Sequence, residues 1–318
     1  MIVNADCLEH MKTMESNSIS FIVTDPPYGL KFMGKHWDHG LPSIEVWKEA
    51  LRVCKPGAWM AAFGGTRTYH RLTCSIEDAG WEIRDCMMWL YGSGFPKSHN
   101  NFGLDGYGTA LKPAWEPIML AMKPLDGTFK QNAETWGQGG INIDDSRVEG
   151  KKTDTMGLIK DHGKGRWPAN IILDEEAGQI LDEQIYIASR FFYCAKASSK
   201  ERNEGLEELP SVYCKTGCGG DMPIDDDGKD RDRFKKFAKN HHPTVKPLSL
   251  MRYILKLLAP PGDPIVLDPF AGSGSTLVAA KQLGIRYLGI EKEPEYCEIS
   301  KKRLVAVNDL FNYHTENP

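Results

Sequence analysis

Two short stretches combine residue types that suit chemistry, and the first is Asp25-Pro26-Pro27-Tyr28. An exocyclic amino nitrogen on a nucleobase is a poor nucleophile because its lone pair is delocalised into the ring. Acceptors on its two N–H bonds favour a tetrahedral nitrogen and stabilise the positive charge that grows as it attacks an electrophile. Asp25 offers a carboxylate and Pro26 a backbone carbonyl. Proline has no backbone N–H to compete with the substrate as donor, and the rings of Pro26 and Pro27 stiffen the loop. Tyr28 suits stacking on a base swung out of a duplex. The chain has no Pro-Cys dipeptide to attack carbon 5 of cytosine, so covalent catalysis is not indicated. Alone, Pro-Pro-Tyr would read as a turn in which the aspartate caps and the tyrosine packs.

The second stretch is Asp268-Pro269-Phe270-Ala271-Gly272-Ser273-Gly274-Ser275-Thr276, between an apolar strand-like run and a helical one. Glycines there let a backbone turn tightly and approach a ligand closely. The match to a dinucleotide fingerprint is incomplete, since Leu277 stands where its third glycine belongs. Glu291 follows at the end of the next strand, about twenty residues on, where an acid accepts hydrogen bonds from both hydroxyls of a ribose. An adenosine ligand fits this pairing. Asp268 beside the loop disfavours a pyrophosphate, but it suits the cationic methionine end of S-adenosylmethionine (SAM). The competing reading is a plain strand-to-helix turn with Glu291 capping the next helix, and it leaves the register of loop, strand and acid unexplained.

Both loops need strands to end where they begin. Apolar runs predict strands at 1–4, 19–23, 58–63, 81–91, 116–123, 264–267 and 286–290. Helical patterns fall at 7–14, 43–54, 67–79, 248–258, 276–283 and 294–307, several of them stopped by Gly or Pro. Strands alternating with helices imply an α/β fold with a mostly parallel sheet, in which ligands bind beyond the carboxyl ends of the strands. Between 125 and 240 periodicity fades, glycines are frequent and charges come in blocks, which reads as a loop-rich insertion.

The 318 residues, 41% hydrophobic and 26% charged, suit one catalytic core plus an insertion. The net charge of −4 argues against a protein that coats nucleic acid along its whole surface. A start without signal-peptide character and the lack of a long apolar run place the chain in the cytoplasm, away from membranes. In that compartment the eight cysteines are expected to stay thiols. Cys214 and Cys218, with His241 and His242 nearby, lack the two tight ligand pairs of a zinc site, so no metal is expected.

Taken together, Asn4-Ala5-Asp6-Cys7, Thr24 to Tyr28, His242 to Pro247 and Asp268 to Thr276 resemble the permuted, beta-class amino-methyltransferases of DNA over residues 1–123 and 241–306. The resemblance implies a Rossmann-like SAM-dependent methyltransferase fold. Its seven-stranded, mostly parallel sheet has one antiparallel strand, for which 116–123 is the candidate, and its motif order is circularly permuted. It implies that Asp25 and Pro26, with Pro27 and Tyr28, hold and stack the target base. It further implies that Asp6 and Cys7 meet the SAM adenine, that Thr244 and Lys246 lie over the methionine end, and that Asp25 borders the cofactor. Asp268, Phe270, Ala271, Gly272, Ser273, Gly274, Ser275 and Thr276 form the cofactor loop, and Glu291 holds the ribose. Ala5 stands where the family commonly has glycine.

The division implied is a first half of the core at 1–123, a target-recognition insertion at 124–241 and a second half at 242–318. The partner would be double-stranded DNA, engaged by a monomer or homodimer. Two basic clusters in the insertion suit phosphates: Lys151, Lys152, Lys160, Lys164 and Arg166, then Lys229, Arg231, Arg233, Lys235, Lys236 and Lys239. Either can equally be solvated surface. Trp136, Trp167, Phe191 and Tyr193 read as core rather than as base wedges. The expected reaction is methyl transfer to N6 of adenine after base flipping. Cytosine N4 is the alternative, followed by an RNA base or a protein glutamine amide. Asp25 favours adenine, because cytosine enzymes of this kind more often carry Ser there and glutamine enzymes Asn. An oxidoreductase would leave Asp25 to Tyr28 unexplained, and a noncatalytic module would be expected to have lost one of the two loops.

Overall fold

In a computed structural model of the chain, the described residues are 1–30, 40–92, 94, 98–99, 103–148, 164–185, 188–195, 204–206, 208, 212–214, 236–238, 240, 242 and 245–316. From the amino terminus run β1 (Ile2–Asn4), α1 (Cys7–Lys12), β2 (Phe21–Thr24), α2 (Ile44–Val53), β3 (Trp59–Phe63), α3 (Tyr69–Asp78), β4 (Glu82–Leu90) and β5 (Trp115–Met122). Next come α4 (Phe129–Trp136), β6 (Ile171–Asp174), α5 (Glu175–Gln184), β7 (Tyr193–Ala195), β8 (Val212–Cys214) and β9 (Lys236–Ala238). The chain closes with α6 (Leu248–Leu258), β10 (Ile265–Asp268), α7 (Ser275–Gln282), β11 (Arg286–Glu291) and α8 (Pro294–Glu316).

Successive side chains of a strand face opposite sides of a sheet, and here each side has its own core. Phe21, Val23, Trp59, Ala61, Phe63, Ile118 and Leu120 face α6, α7 and α8 through Leu250, Ile254, Leu277 and Leu304. Ile22, Met60, Ala62, Met119, Ala121 and Leu267 face α1, α2 and α3 through Met11, Trp47, Val53, Leu72 and Ile76. With both faces covered, strands such as β2 and β3 are buried along their whole length and read as continuous apolar runs.

The main sheet has nine strands in the order β1-β11-β10-β2-β3-β5-β4-β6-β7. Its first seven match the sheet that the family resemblance implied. β5 runs antiparallel to β3 and β4, and it covers the expected 116–123 segment to within a residue. The two further strands, β6 and β7, extend the β4 edge in parallel. They arise from the stretch read as loop-rich, where four and three residues are too few to display a periodicity. Tyr193 on β7 stacks on Tyr253 of α6 with ring centroids 4.0 Å apart, and its hydroxyl donates to the Ser249 carbonyl. α4 opens on a capping box formed by Thr128 and Gln131, and its buried Asn132 amide donates to the carbonyls of Pro56 and Gln138. Parts of the 124–241 interval are thus built onto the core. Among the described residues, β8 and β9 pair only with each other.

Of the aromatic residues expected in the core, Tyr193 packs there and Trp136 is partly buried. Trp167 is not, being 65% exposed with the Arg147 guanidinium 5.2 Å from its ring centre. The side chain of Phe191 lies outside what is described.

Candidate active site

The permuted order is resolved in space because β10, late in the chain, lies beside β2, early in it, with Val266 opposite Phe21 and Leu267 opposite Ile22. Both strands run in the same direction, so the loops beyond Thr24 and Asp268 emerge side by side. A hydrogen bond ties them, as the buried Thr24 hydroxyl donates to Asp268 Oδ1 at 2.7 Å. Glu291 ends β11 on the other side of β10, and Asp6 follows β1. Glu116 stands near the start of β5, which reaches the same edge because that strand is antiparallel.

These loops enclose a cavity of about 1270 Å³. A drug-sized ligand typically needs a cleft of about 300–1,000 Å³, so a cofactor and a base fit together here. Asp6, Cys7, Asp25, Pro26, Pro27 and Tyr28 line it, as do Lys246, Asp268, Phe270, Ala271, Gly272, Ser273, Ser275, Thr276 and Glu291. Gly274 sits behind the wall against Ser300, and Thr244 lies outside the described residues.

At the first loop, Tyr28 donates to Asp25 Oδ1 at 2.7 Å and to Glu116 Oε2 at 3.3 Å. Burial first, then the charges of Asp25 and Glu116, hold the Tyr28 hydroxyl well above the ordinary tyrosine range, so it remains a donor. The Lys246 ammonium lies 2.7 Å from Asp25 Oδ2 and 3.2 Å from Glu116 Oε2, and it donates to the Tyr28 hydroxyl at 3.2 Å. Lys246, assigned by the resemblance to the segment over the methionine end, lines the same cavity and rests on the carboxylate of Asp25. Burial alone would lower its pKa, yet Asp25 and Glu116 more than offset this and raise it above the usual lysine value. Two carboxylates and one ammonium leave this corner with a net charge of −1.

At the second loop, Gly272 adopts φ +53°, and a Cβ there would meet the His242 imidazole at 2.7 Å. Arg303, buried on α8, donates to the Ser273 carbonyl at 2.6 Å and to its hydroxyl at 3.3 Å, bracing the loop from behind. Asp268 is buried, and desolvation pushes its pKa up to about 6 against the pull of hydrogen bonds from Thr276, Thr24 and the Phe270 amide. Glu291 accepts at 2.7 Å from the Gly272 amide on Oε2 and at 2.7 Å from the Glu293 amide on Oε1. Both oxygens are fixed, and each keeps acceptor capacity for a ligand hydroxyl. Asp6 caps α1 by accepting from the Leu8 and Glu9 amides, and Lys292 donates to its other oxygen at 3.3 Å. The Cys7 thiol is raised to about 12, by burial first and Asp6 second, and serves as an uncharged wall.

Sequence reasoning missed Glu116 and Arg303. Glu116 had a signal, being one carboxylate at the head of an otherwise apolar strand. Arg303 had none, because an arginine on an exposed-looking helix reads as surface.

Of the basic clusters, Lys151, Lys152, Lys160, Lys229, Arg231, Arg233, Lys235 and Lys239 lie outside the described residues, as do Cys218, His241 and the side chains of Cys214 and Lys236. Lys164 pairs with Asp144 at 2.7 Å. Among the described residues there is no group of three metal-ligating side chains, and no helix is long and apolar enough to cross a membrane.

The model of a family described as DNA methylase, covering N6 and N4 enzymes, matches residues 19–302. Type II methyltransferase M.HindIII of Haemophilus influenzae is 23% identical, with 98% of this chain and 97% of its own length aligned. Type II methyltransferase M.HinfI of Haemophilus influenzae is 24% identical over 95% of this chain and 67% of its own length. The solved structure of the cytosine-N4-specific PvuII DNA methyltransferase superposes with a TM-score of 0.56 at 16% identity, covering 98% of this chain and 90% of that one. At that identity the likeness is one of fold.

Proposed function

Since this chain belongs to the N6/N4 DNA methylase family, we propose that it methylates N6 of adenine in double-stranded DNA after flipping the base into the cavity. The observation that supports the choice of base is the carboxylate of Asp25 at the head of the loop, where cytosine-N4 enzymes of this kind more often carry Ser. Cytosine N4 is the other reading, and the fold likeness to a cytosine-N4-specific enzyme keeps it in play. The test is to methylate DNA with the purified protein, digest it to nucleosides and identify the product by mass spectrometry. N6-methyladenine is expected; N4-methylcytosine as sole product would overturn the choice.

SAM, the methyl donor of the family, fits the second loop: the glycine backbone would support one end, Glu291 would accept from a ribose, and buried Asp268 would meet a cation. The bound cofactor supplies an electrophilic methyl on sulfur. The protein's part is to hold the amino nitrogen in line with that methyl, with Asp25 and the Pro26 carbonyl as acceptors, and to meet the developing positive charge with the net −1 of the Asp25, Glu116 and Lys246 corner. Tyr28 stacks on the base.

Glu291→Ala is expected to weaken SAM binding by roughly tenfold to a hundredfold, the cost of a lost acceptor to a polar ligand. Unchanged affinity by calorimetry in the folded variant removes the assignment. Asp268 adds a pH dependence. Folding raises its pKa from 3.8 to about 6, so its protonated form favours the folded state, and that contribution fades as pH rises through this window. A cation bound beside it favours the ionised form. SAM affinity is therefore expected to climb between about pH 5 and 7, and Asp268→Asn to flatten the climb. A parent profile already flat across that range contradicts the contact.

The 124–241 interval is the proposed target-recognition element, its basic clusters lying on phosphates. Changing Lys235 and Lys236 together to Gln is expected to lower DNA affinity and reduce its salt slope by about 2; unchanged slope makes them mere surface. The Type II designation of both relatives supports a place in a restriction-modification pair.

A further inference from the structure

In the chemistry above Lys246 contributes only its charge, and its hydrogen-bonding capacity is unused. Its ammonium is 6% exposed as a residue and confined between two rings, 4.9 Å from the centre of Phe63 and 5.5 Å from that of Tyr28. It directs three donors at Asp25, Glu116 and the Tyr28 hydroxyl. The Tyr28 partner is the weakest of these, since its hydroxyl is an uncharged acceptor and the other two are carboxylates. A base entering the cavity therefore meets, 2.7 Å apart, a carboxylate acceptor and an ammonium donor.

We infer that Asp25 and Lys246 form a donor–acceptor couple that reads the Watson–Crick edge of the flipped base. Asp25 accepts from the exocyclic amino group, and Lys246 donates to the ring nitrogen beside it. The inference rests on the reading that Asp25 holds the target amino group. Adenine presents an N6 amino donor next to the N1 acceptor, and cytosine an N4 amino donor next to the N3 acceptor. Guanine and thymine present the reverse, a carbonyl acceptor next to an N–H donor, which would set oxygen against the carboxylate and N–H against the ammonium. One couple thus admits both bases that this family methylates and rejects both that carry no amino group there. Glu116 keeps the ammonium in place when the base takes one of its donors, and the raised pKa of Lys246 keeps the proton on the lysine. The contact is a hydrogen bond and not a proton transfer. It is formed with the unreacted base, so it serves selection more than rate.

The test compares two short duplexes carrying the methylation site, with adenine or 1-deazaadenine at the target. Each target is placed opposite an abasic position so that neither is paired. For the parent enzyme, kcat/KM on 1-deazaadenine is expected to fall by roughly tenfold to a hundredfold, the cost of leaving a buried charged donor without its acceptor. For Lys246→Met the two substrates are expected to be methylated equally, whatever the variant's absolute rate. Equal methylation of both by the parent, or an unchanged ratio in the variant, overturns the inference. The product identified beforehand tests the choice of base separately; with cytosine as product, the same comparison is made with 3-deazacytosine.

Discussion

Replacing Asp25 with alanine is expected to leave a folded protein that binds SAM and transfers methyl groups at least about 10²–10³ times more slowly, the loss typical when one preorganised charge-stabilising contact is removed. The fold is expected to survive because Asp25 borders the cavity, not the core, and because Lys246 and Tyr28 both retain Glu116 as partner. The rate falls because the amino nitrogen loses the acceptor that localises its lone pair and the charge that balances its transition state. Asp25→Asn keeps shape and one carbonyl acceptor but not the charge, so it is expected to fall between parent and alanine. Tyr28→Ala is expected to be milder, since stacking is worth about 1–3 kcal/mol per base. Single-turnover methylation with saturating SAM isolates the chemical step. Turnover near the parent's in a folded Asp25→Ala protein would remove this residue from the mechanism.

The parts of this site that the sequence made legible are those where backbone demands and chemistry coincide. Asp25-Pro26-Pro27-Tyr28 ends a fully buried strand, and the Asp268 to Thr276 loop opens a helix, so each announces both a turn and a function. The core strands could be found because both faces are covered, leaving unbroken apolar runs such as Phe21–Thr24. Strands β6 and β7 were not, since they join the sheet through backbone pairing over three or four residues. Lys246 shows a different limit. Its motif was visible, but its placement on Asp25 depends on Glu116, over a hundred residues away in sequence, and on the antiparallel course of β5. Charge partners brought together by topology leave no local trace.

Gly274→Ala is expected to cost about 3 kcal/mol of stability and to weaken SAM binding more than tenfold, with two separable causes. Gly274 caps α7 at φ +81°, a left-handed conformation that an L side chain adopts only under strain of about 1–2 kcal/mol. Its missing side chain also leaves room for α8: a Cβ built there runs into the Ser300 hydroxyl and approaches the Ser300 Cβ at 2.9 Å. Both are buried, so relief must come from moving α8 or the loop, and the loop carries the Gly272 amide that fixes Glu291. A distortion at Gly274 thus reaches the ribose acid through one hydrogen bond. The packing part of the cost can be isolated. Ser300→Gly alone is expected to cost about 1 kcal/mol, as glycine does in a helix interior. Combined with Gly274→Ala it removes the collision but not the φ strain. The double variant is therefore expected to be more stable than the sum of the single costs allows, by at least about 1 kcal/mol, which denaturant unfolding resolves. Additive costs would mean that the new Cβ does not collide with Ser300, and the close approach of α8 would then have no part in shaping the cofactor site.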